Sequence, residues 1–335
     1  MTLNILSIII DNIRNLYTLS FIVFGGFHYM VYILKRLFIS VITLIVVFTL
    51  TFLLMHLIPG GPFAGEKNLP PNIMHNLEVK FGLDKPVITQ YFLYFKNVFF
   101  HLDFGYSIKQ QGMTINEIIK IYFPTSMQLG LVSIAIAMII GTILGIISAF
   151  RNGHAVDKTV MFIATLGTSV PSFVVATICV ILFGVIWNVL PIIGLKSWEN
   201  YILPAFALSF FPLSFASRLM RSSMLDVINQ DYIKAARAKG LKESTVIFKH
   251  ALRNAILPIV TYLGPLMAQI LTGSFIIERI FTIPGLGSFF VTSIQNRDYP
   301  VILGTTIFYG GFLIMMNFIV DILYLFIDPR IKLKN

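Results

Sequence analysis

Asp231-Tyr-Ile-Lys-Ala-Ala-Arg-Ala-Lys-Gly240 is a short charged stretch between two long apolar ones, and its chemistry reads as one helix with a marked start and stop. Asp231 is expected to cap the N-terminus, and Tyr232 to Lys239 to form about two turns. Lys239 suits the negative C-terminal end, and Gly240 supplies the left-handed residue that stops the helix. A second start follows, with Ser244 as the expected cap of a helix through Phe248, Leu252 and Ile256. Leu257-Pro258 then opens an apolar run that has to enter a bilayer. Lys234, Arg237 and Lys239 keep the first helix in water, while Ala235 and Ala236 are small enough for another protein to approach closely. An ordinary basic loop has the same charge; the order of these residues reads instead as a handle for a partner.

Composition sets the surroundings of that handle. With 56% of residues apolar, 12% charged and a mean hydropathy of +0.83, the chain is not a water-soluble globule but an integral membrane protein, all-α in class. A spanning helix needs about 20 mostly apolar residues, and six windows qualify: 37–58, 126–150, 159–187, 201–217, 255–277 and 299–327. The fourth is the shortest, with Arg218 as a snorkelling end. An N-terminus in the cytoplasm puts fifteen Lys and Arg residues of short loops and tail inside, against Lys196, Arg279 and Arg297 outside. The positive-inside rule therefore places both termini in the cytoplasm. The net charge of +10 is a topological signature and not a sign of nucleic acid, for which no motif appears.

Four further readings concern chemistry. Cys179 is the one cysteine and reads as a packing residue. The six histidines show no metal-ligand spacing. Gly240-Leu-Lys-Glu-Ser-Thr245 lacks the paired glycines of a phosphate loop, so the chain is not expected to be an ATPase or any other enzyme. Asp321 is the clear carboxylate within a spanning window; an intramembrane acid suggests a proton relay, but its place about two turns from the cytoplasmic end favours a structural role.

Lys234-Ala235-Ala236, Gly240 and Ile256-Leu257-Pro258 resemble the coupling loop of the membrane subunits of bacterial ATP-binding-cassette importers. Lys234 stands where that family usually has Glu, and the longer spacing from Gly240 to Leu257-Pro258 is that of the peptide-importer branch. Pro59-Gly-Gly-Pro-Phe-Ala-Gly-Glu66, Leu69-Pro-Pro71, Gly82-Leu83-Asp84-Lys85-Pro86, Leu102-Asp-Phe-Gly105, Ile283-Pro-Gly-Leu-Gly287, Asn296-Arg-Asp-Tyr299 and Asp328-Pro-Arg330 are similar to the oligopeptide permeases. Dipeptide and nickel permeases share many of these motifs.

The resemblance implies the type I importer fold, with six transmembrane helices and a coupling helix between the fourth and fifth. It implies ATPase coupling through Asp231, Tyr232, Ala235, Ala236, Arg237, Lys239, Gly240 and Leu241. The implied partners are a homologous second permease, two cytoplasmic ATPase subunits that use ATP and Mg2+, and an extracytoplasmic peptide-binding protein, all set in membrane lipid. No cofactor is expected on this chain itself. Nickel or a metal chelate is the alternative cargo. An ion-gradient carrier using Asp321 and a scaffold without transport are the rival classes.

The expected organisation is an N-terminal extension (1–29) lying as an interfacial helix, a first helix (30–58), an outer region (59–122), a permease core (123–327) and a cytoplasmic tail (328–335). Met30 is an alternative start, and no secretory signal is expected. In the outer region, 83–100 reads as an amphipathic helix along the membrane, with a docking surface for the outer receptor nearby. Pro284, Gly285 and Gly287 should prevent a continuous helix in the 281–300 loop, which Arg297 and Asp298 return to a wet surface; it is expected to act as an outer gate or receptor-facing loop.

Overall fold

The structure is a computed structural model that describes residues 33–57, 82–110, 112–195, 197–271 and 273–327, together with His75 and Val79; side chains are described as far as Ile319, Ala268 excepted. The readings for 1–29, for Pro59 to Glu66, for Leu69 to Pro71 and for the tail beyond 327 lie outside the described residues. Among the described residues every regular element is helical, and the sole extended pairing is an isolated bridge between Tyr106 and Thr114. Helix α1 covers Ile33–Leu57 and contributes to two units, Met1–Leu50 and Thr51–Asn335; the remaining elements belong to the second.

Helix α2 (Val87–His101) covers most of the stretch read as amphipathic, with Val98 buried while Phe92 and Phe100 are exposed. Helix α3 (Ile115–Phe150) begins in a capping box. The Thr114 hydroxyl accepts from the Glu117 N–H at 3.2 Å, and the Glu117 carboxylate accepts from the Thr114 N–H at 2.9 Å. This start lies well ahead of the apolar window at 126, because capping groups and not hydropathy decide where the helix begins.

The third apolar window is not one rod. Helix α4 (Ala155–Ser169) ends where Pro171 biases Val170 to an extended conformation. Helix α5 (Ser172–Ile186) leaves at 107° to it, its second half wound as a π-helix from Val180 to Ile186.

Helix α6 (Glu199–Ile228) outruns its window at both ends and carries Pro204 and Pro212 within it. After α7 (Asp231–Ala238), α8 (Glu243–Ala255) contains a π-helical stretch from Val246 to Ala251 and meets α9 (Leu257–Leu271) at 45°. The fifth span thus ends at Leu271, short of the 277 expected. Helices α10 (Phe275–Ile280), α11 (Leu286–Gln295) and α12 (Tyr299–Ile327) complete the chain. Among the described residues, four helices are long and apolar enough to cross a membrane, or up to six when each bent pair counts as one span.

Helices α3 and α6 form the centre, and glycine makes their approach possible. A Cβ on Gly141 would lie 2.7 Å from the Leu213 carbonyl oxygen, and one on Gly145 would lie 2.6 Å from both the Ser217 carbonyl oxygen and Met220 Cβ. The Ser217 hydroxyl donates to the Gly141 carbonyl at 3.0 Å. In lipid, where apolar side chains gain little by meeting one another, such backbone proximity drives helix association.

Candidate functional site

Helix α7 sits at the end of α6, and its two faces are unequal. Ile233 and Ala236 are buried and join Met220 and Met224 of α6, Ala149 of α3 and Val246, Ala251 and Ala255 of α8 in one apolar cluster. The i, i+3 spacing of Ile233 and Ala236 puts both on this inner side. Asp231, Tyr232, Lys234, Ala235, Arg237, Lys239, Gly240 and Leu241 face outward. The expected close-approach pair is therefore split: Ala235 is open to a partner, whereas Ala236 is spent on the chain's own core.

The ends of the helix also differ from expectation. Gln230 holds the N-cap position, with no side-chain cap bond, and Asp231 is the first helical residue, pairing with Lys234 at 3.0 Å. There it serves the helix dipole and not the cap. Ser244 lies within the first turn of α8, since Lys242 takes the preceding extended position.

Gly240 does behave as expected, at φ +74° with its N–H donating to the Arg237 carbonyl at 2.9 Å. Arg237 closes the turn by donating to both Glu243 carboxylate oxygens, at 2.6 and 3.2 Å. Asn254 Nδ2 donates to the Tyr232 hydroxyl at 2.7 Å, tying α7 to α8. Nothing lies within 4 Å of a Cβ built on Gly240, so Gly240→Ala should cost only the left-handed backbone penalty of about 1–2 kcal/mol. Faster hydrogen exchange across 239–243 and an intact fold are the expected readout; wild-type exchange rates there would refute it.

Behind this surface lies a clamp that hydropathy does not reveal. Asp157, on the first turn of α4, accepts from Arg221 of α6 at 2.6 and 2.8 Å, from the Ser148 hydroxyl of α3 at 2.5 Å and from the Gly153 N–H at 2.8 Å. Arg221 also donates to Asn152 at 2.8 Å. Three helices are thus joined through one buried carboxylate just before α6 leads into α7.

The second candidate region lies at the other end of α6, where the Gly194 N–H donates to the Phe281 carbonyl at 2.8 Å. The chain does break at Pro284 and Gly285, but Gly287 lies inside α11 and Asp298 is buried, not wet. Asp298 accepts from the Ser107 hydroxyl at 2.5 Å and from the Ile108 and Lys109 N–H groups at 3.1 and 3.3 Å. It anchors the 107–109 segment, while Arg297 takes a left-handed turn at φ 56°.

At the heart of this region is Glu278, fully buried. Its carboxylate accepts from the Ser126 hydroxyl of α3 and from the Ser288 N–H, each at 2.7 Å, and Ser126 Oγ in turn accepts from the Leu286 N–H at 2.9 Å. The first N–H groups of α11, which have no partner within the helix, are satisfied in this way. A Cβ on Gly285 would run into the Glu278 carboxylate. Burial pushes the Glu278 pKa up, against an opposing pull from the Ser126, Ser288 and Gly287 hydrogen bonds. The acid following the apolar run, with Pro-Gly-x-Gly six residues further on, was the available signal in the sequence. Asp321 lies on α12, and its side chain is outside the described residues.

The model of the family described as "Binding-protein-dependent transport system inner membrane component" matches residues 141–333, and that of its N-terminal region matches 29–130. The chain is 47% identical over 304 residues to a dipeptide transport system permease protein DppB of Bacillus subtilis, covering 91% of this chain and 98% of that one. It is 41% identical to an oligopeptide transport system permease protein OppB of Haemophilus influenzae, covering 90% and 99%, and 42% identical to the OppB of Salmonella typhimurium over the same shares. Among solved structures, a chain of the MetNI methionine ABC transporter in inward-facing conformations matches 64% of this chain and 98% of its own, at 17% identity and a TM-score of 0.49, a likeness too distant to bear on function. The protein is therefore a multi-pass membrane protein that belongs to the family of inner-membrane components of binding-protein-dependent transport systems.

Proposed function

We propose that the chain is one permease subunit of an ATP-driven peptide importer, supplying half of the pathway beside a homologous second permease. The observation that carries this reading is identity of 41–47% over nine-tenths of the chain to permeases named for dipeptide and oligopeptide transport. Nickel is not favoured on the same ground. The chain itself carries out no catalysis and binds no cofactor; two cytoplasmic ATPase subunits, with ATP and Mg2+, supply the energy, and an extracytoplasmic binding protein delivers the peptide. Both termini and α7 lie in the cytoplasm.

The outward side of α7, with Ala235 at its middle, is the surface on which an ATPase subunit bears. Its inner side is seated on the ends of α3 and α6, so a displacement of α7 is passed to the helices that line the pathway. Pro284, Gly285, Gly287, Arg297 and Asp298 belong to an outer gate held in place by Glu278 and Asp298.

The test is ATP-dependent uptake of a labelled oligopeptide by proteoliposomes holding this chain and its partners, with wild-type chain or Ala235→Glu. The variant puts a longer, charged side chain on the exposed face and spares the buried Ile233–Ala236 face. Uptake should fall by about tenfold or more while receptor binding persists, the effect of roughly 1.4 kcal/mol lost at an interface. Wild-type uptake by the variant would refute the coupling assignment, and no peptide uptake by the wild-type complex would refute the importer reading.

A further inference from the structure

Two membrane segments break beside each other, and the breaks face one cavity. Helices α4 and α9 each run for 15 residues from the α7 end of the molecule, about 22 Å, which is past the middle of a hydrocarbon layer about 30 Å thick. The first then turns at Val170–Pro171, and the second ends before Gly273, at φ +90°. Between them lies a cavity of about 560 Å³, whose wall includes Ser169, Pro171, Ser172, Phe211, Gln269 and Ser274.

Irregular backbone at membrane depth persists only where it is buried in protein or lines a wet cavity. Here it lines a cavity. The Leu166 carbonyl of α4 accepts from the Val170 N–H at 2.8 Å, while the carbonyls after it have no partner within the helix. Among the described residues, no protein group engages the hydroxyls of Ser169, Ser172 or Ser274. The Thr168 hydroxyl is already used, donating to Ala164 and Thr165 carbonyls at 3.1 and 3.0 Å and accepting from Arg218 at 3.4 Å. The described lining itself carries no carboxylate, ammonium, guanidinium, imidazole or thiol, and the charged groups beside it, Arg218 at Thr168 and Glu278 against Gly273, stand behind the wall, which offers no cluster of metal ligands.

What suits it is the uncharged amide main chain of a ligand, away from that ligand's charged ends, with varied side chains alongside. Resting on the peptide reading above, we propose that this cavity is a main-chain binding site for the peptide in transit, in which the hydroxyls of Ser169, Ser172 and Ser274 and the broken backbone replace water on the peptide amides. An unpaired amide leaving water costs a few kcal/mol, and a peptide has one at every residue. A wall that satisfies amides and holds no charge lowers that cost alike for any sequence, with Phe211 and Ile270 giving apolar side chains a place to rest.

The experiment uses the complete complex in proteoliposomes, with a labelled oligopeptide and its backbone N-methylated counterpart, which lacks amide donors. The receptor is the same throughout, so a change in the uptake ratio of the two peptides between wild type and Ser172→Val/Ser274→Val reports on the permease. That ratio is expected to shift toward one by about five- to tenfold, the effect of roughly one hydrogen bond, with receptor-stimulated ATPase activity retained. Should the double variant fail to assemble, a photoreactive residue at 172 or 274 provides the readout. It is expected to capture peptide during ATP turnover, whereas one at Phe162, on the exposed side of α4, is not. Peptide uptake with an unchanged ratio, or with no capture at 172 and 274, overturns the site. A wild-type complex that takes up no peptide overturns the reading on which the site rests.

Discussion

Asp157→Ala is expected to destabilise the protein by about 3 kcal/mol, the lower end of the usual loss when one partner of a buried ion pair is removed. The lower end applies because the Arg221 side chain is 25% exposed while that of Asp157 is 6% exposed, so water reaches the stranded guanidinium in part. The Ser148 hydroxyl and the Gly153 N–H lose their acceptor as well. Thermal unfolding of the purified complex measures the loss, and a double-mutant cycle with Arg221→Ala separates the pair from its surroundings. The double variant should be less damaged than the two single losses added together, because the charge left behind is the larger part of each. Single variants that unfold with the wild type would mean the clamp carries no weight. Peptide uptake should fall along with stability, because α6 leads from Arg221 directly into α7.

Glu278→Ala is the second large effect, roughly 2–5 kcal/mol, since the Ser126 hydroxyl and the Ser288 N–H are both left without an acceptor in a buried place. Hydrogen exchange at 286–288 should rise sharply, and exchange across α7 should not. Glu278→Gln keeps the shape and one carbonyl acceptor and is expected to lose less.

The wild type and Glu278→Gln also differ in their response to pH. A buried glutamate with a raised pKa favours the folded state below its ordinary range near 4.5 and loses that contribution as pH rises through the raised value. The 281–298 loop of the wild type should therefore loosen as pH climbs, while Glu278→Gln should hold a flat profile. Equal slopes in the two proteins would show that Glu278 is not the titrating group.

Much of this fold could be read from hydropathy, because a bilayer demands about twenty apolar residues in a row and leaves few other ways to write a span. The same signal hides the bend at Val170–Pro171, since the apolar run continues on both sides of it; the proline was in plain view, but many spans tolerate one, as α3 does at Pro124 and α9 at Pro265. Residues 231–240 were legible as a helix with a glycine stop because both are local matters. Which alanine faces out was not, because Ala235 and Ala236 differ only in what α6 and α8 place beneath them. Asp298 looked wet beside Arg297, and its burial depends on the 107–109 segment, nearly two hundred residues earlier. Glu278 and Asp157 went unmarked for the same reason: each matters through partners distant in the chain.

The length of α3 has a mechanical consequence. At about 1.5 Å per residue, its 36 residues extend roughly 54 Å, against a hydrocarbon thickness of about 30 Å. Nearly half of the rod therefore stands in the headgroups or the water. A tilt of about 10° displaces one tip by roughly 9 Å relative to the other over that length, more than the width of a water molecule several times over. A small tilt of α3 would therefore carry the loops at its two ends a long way while its middle moves little in the bilayer.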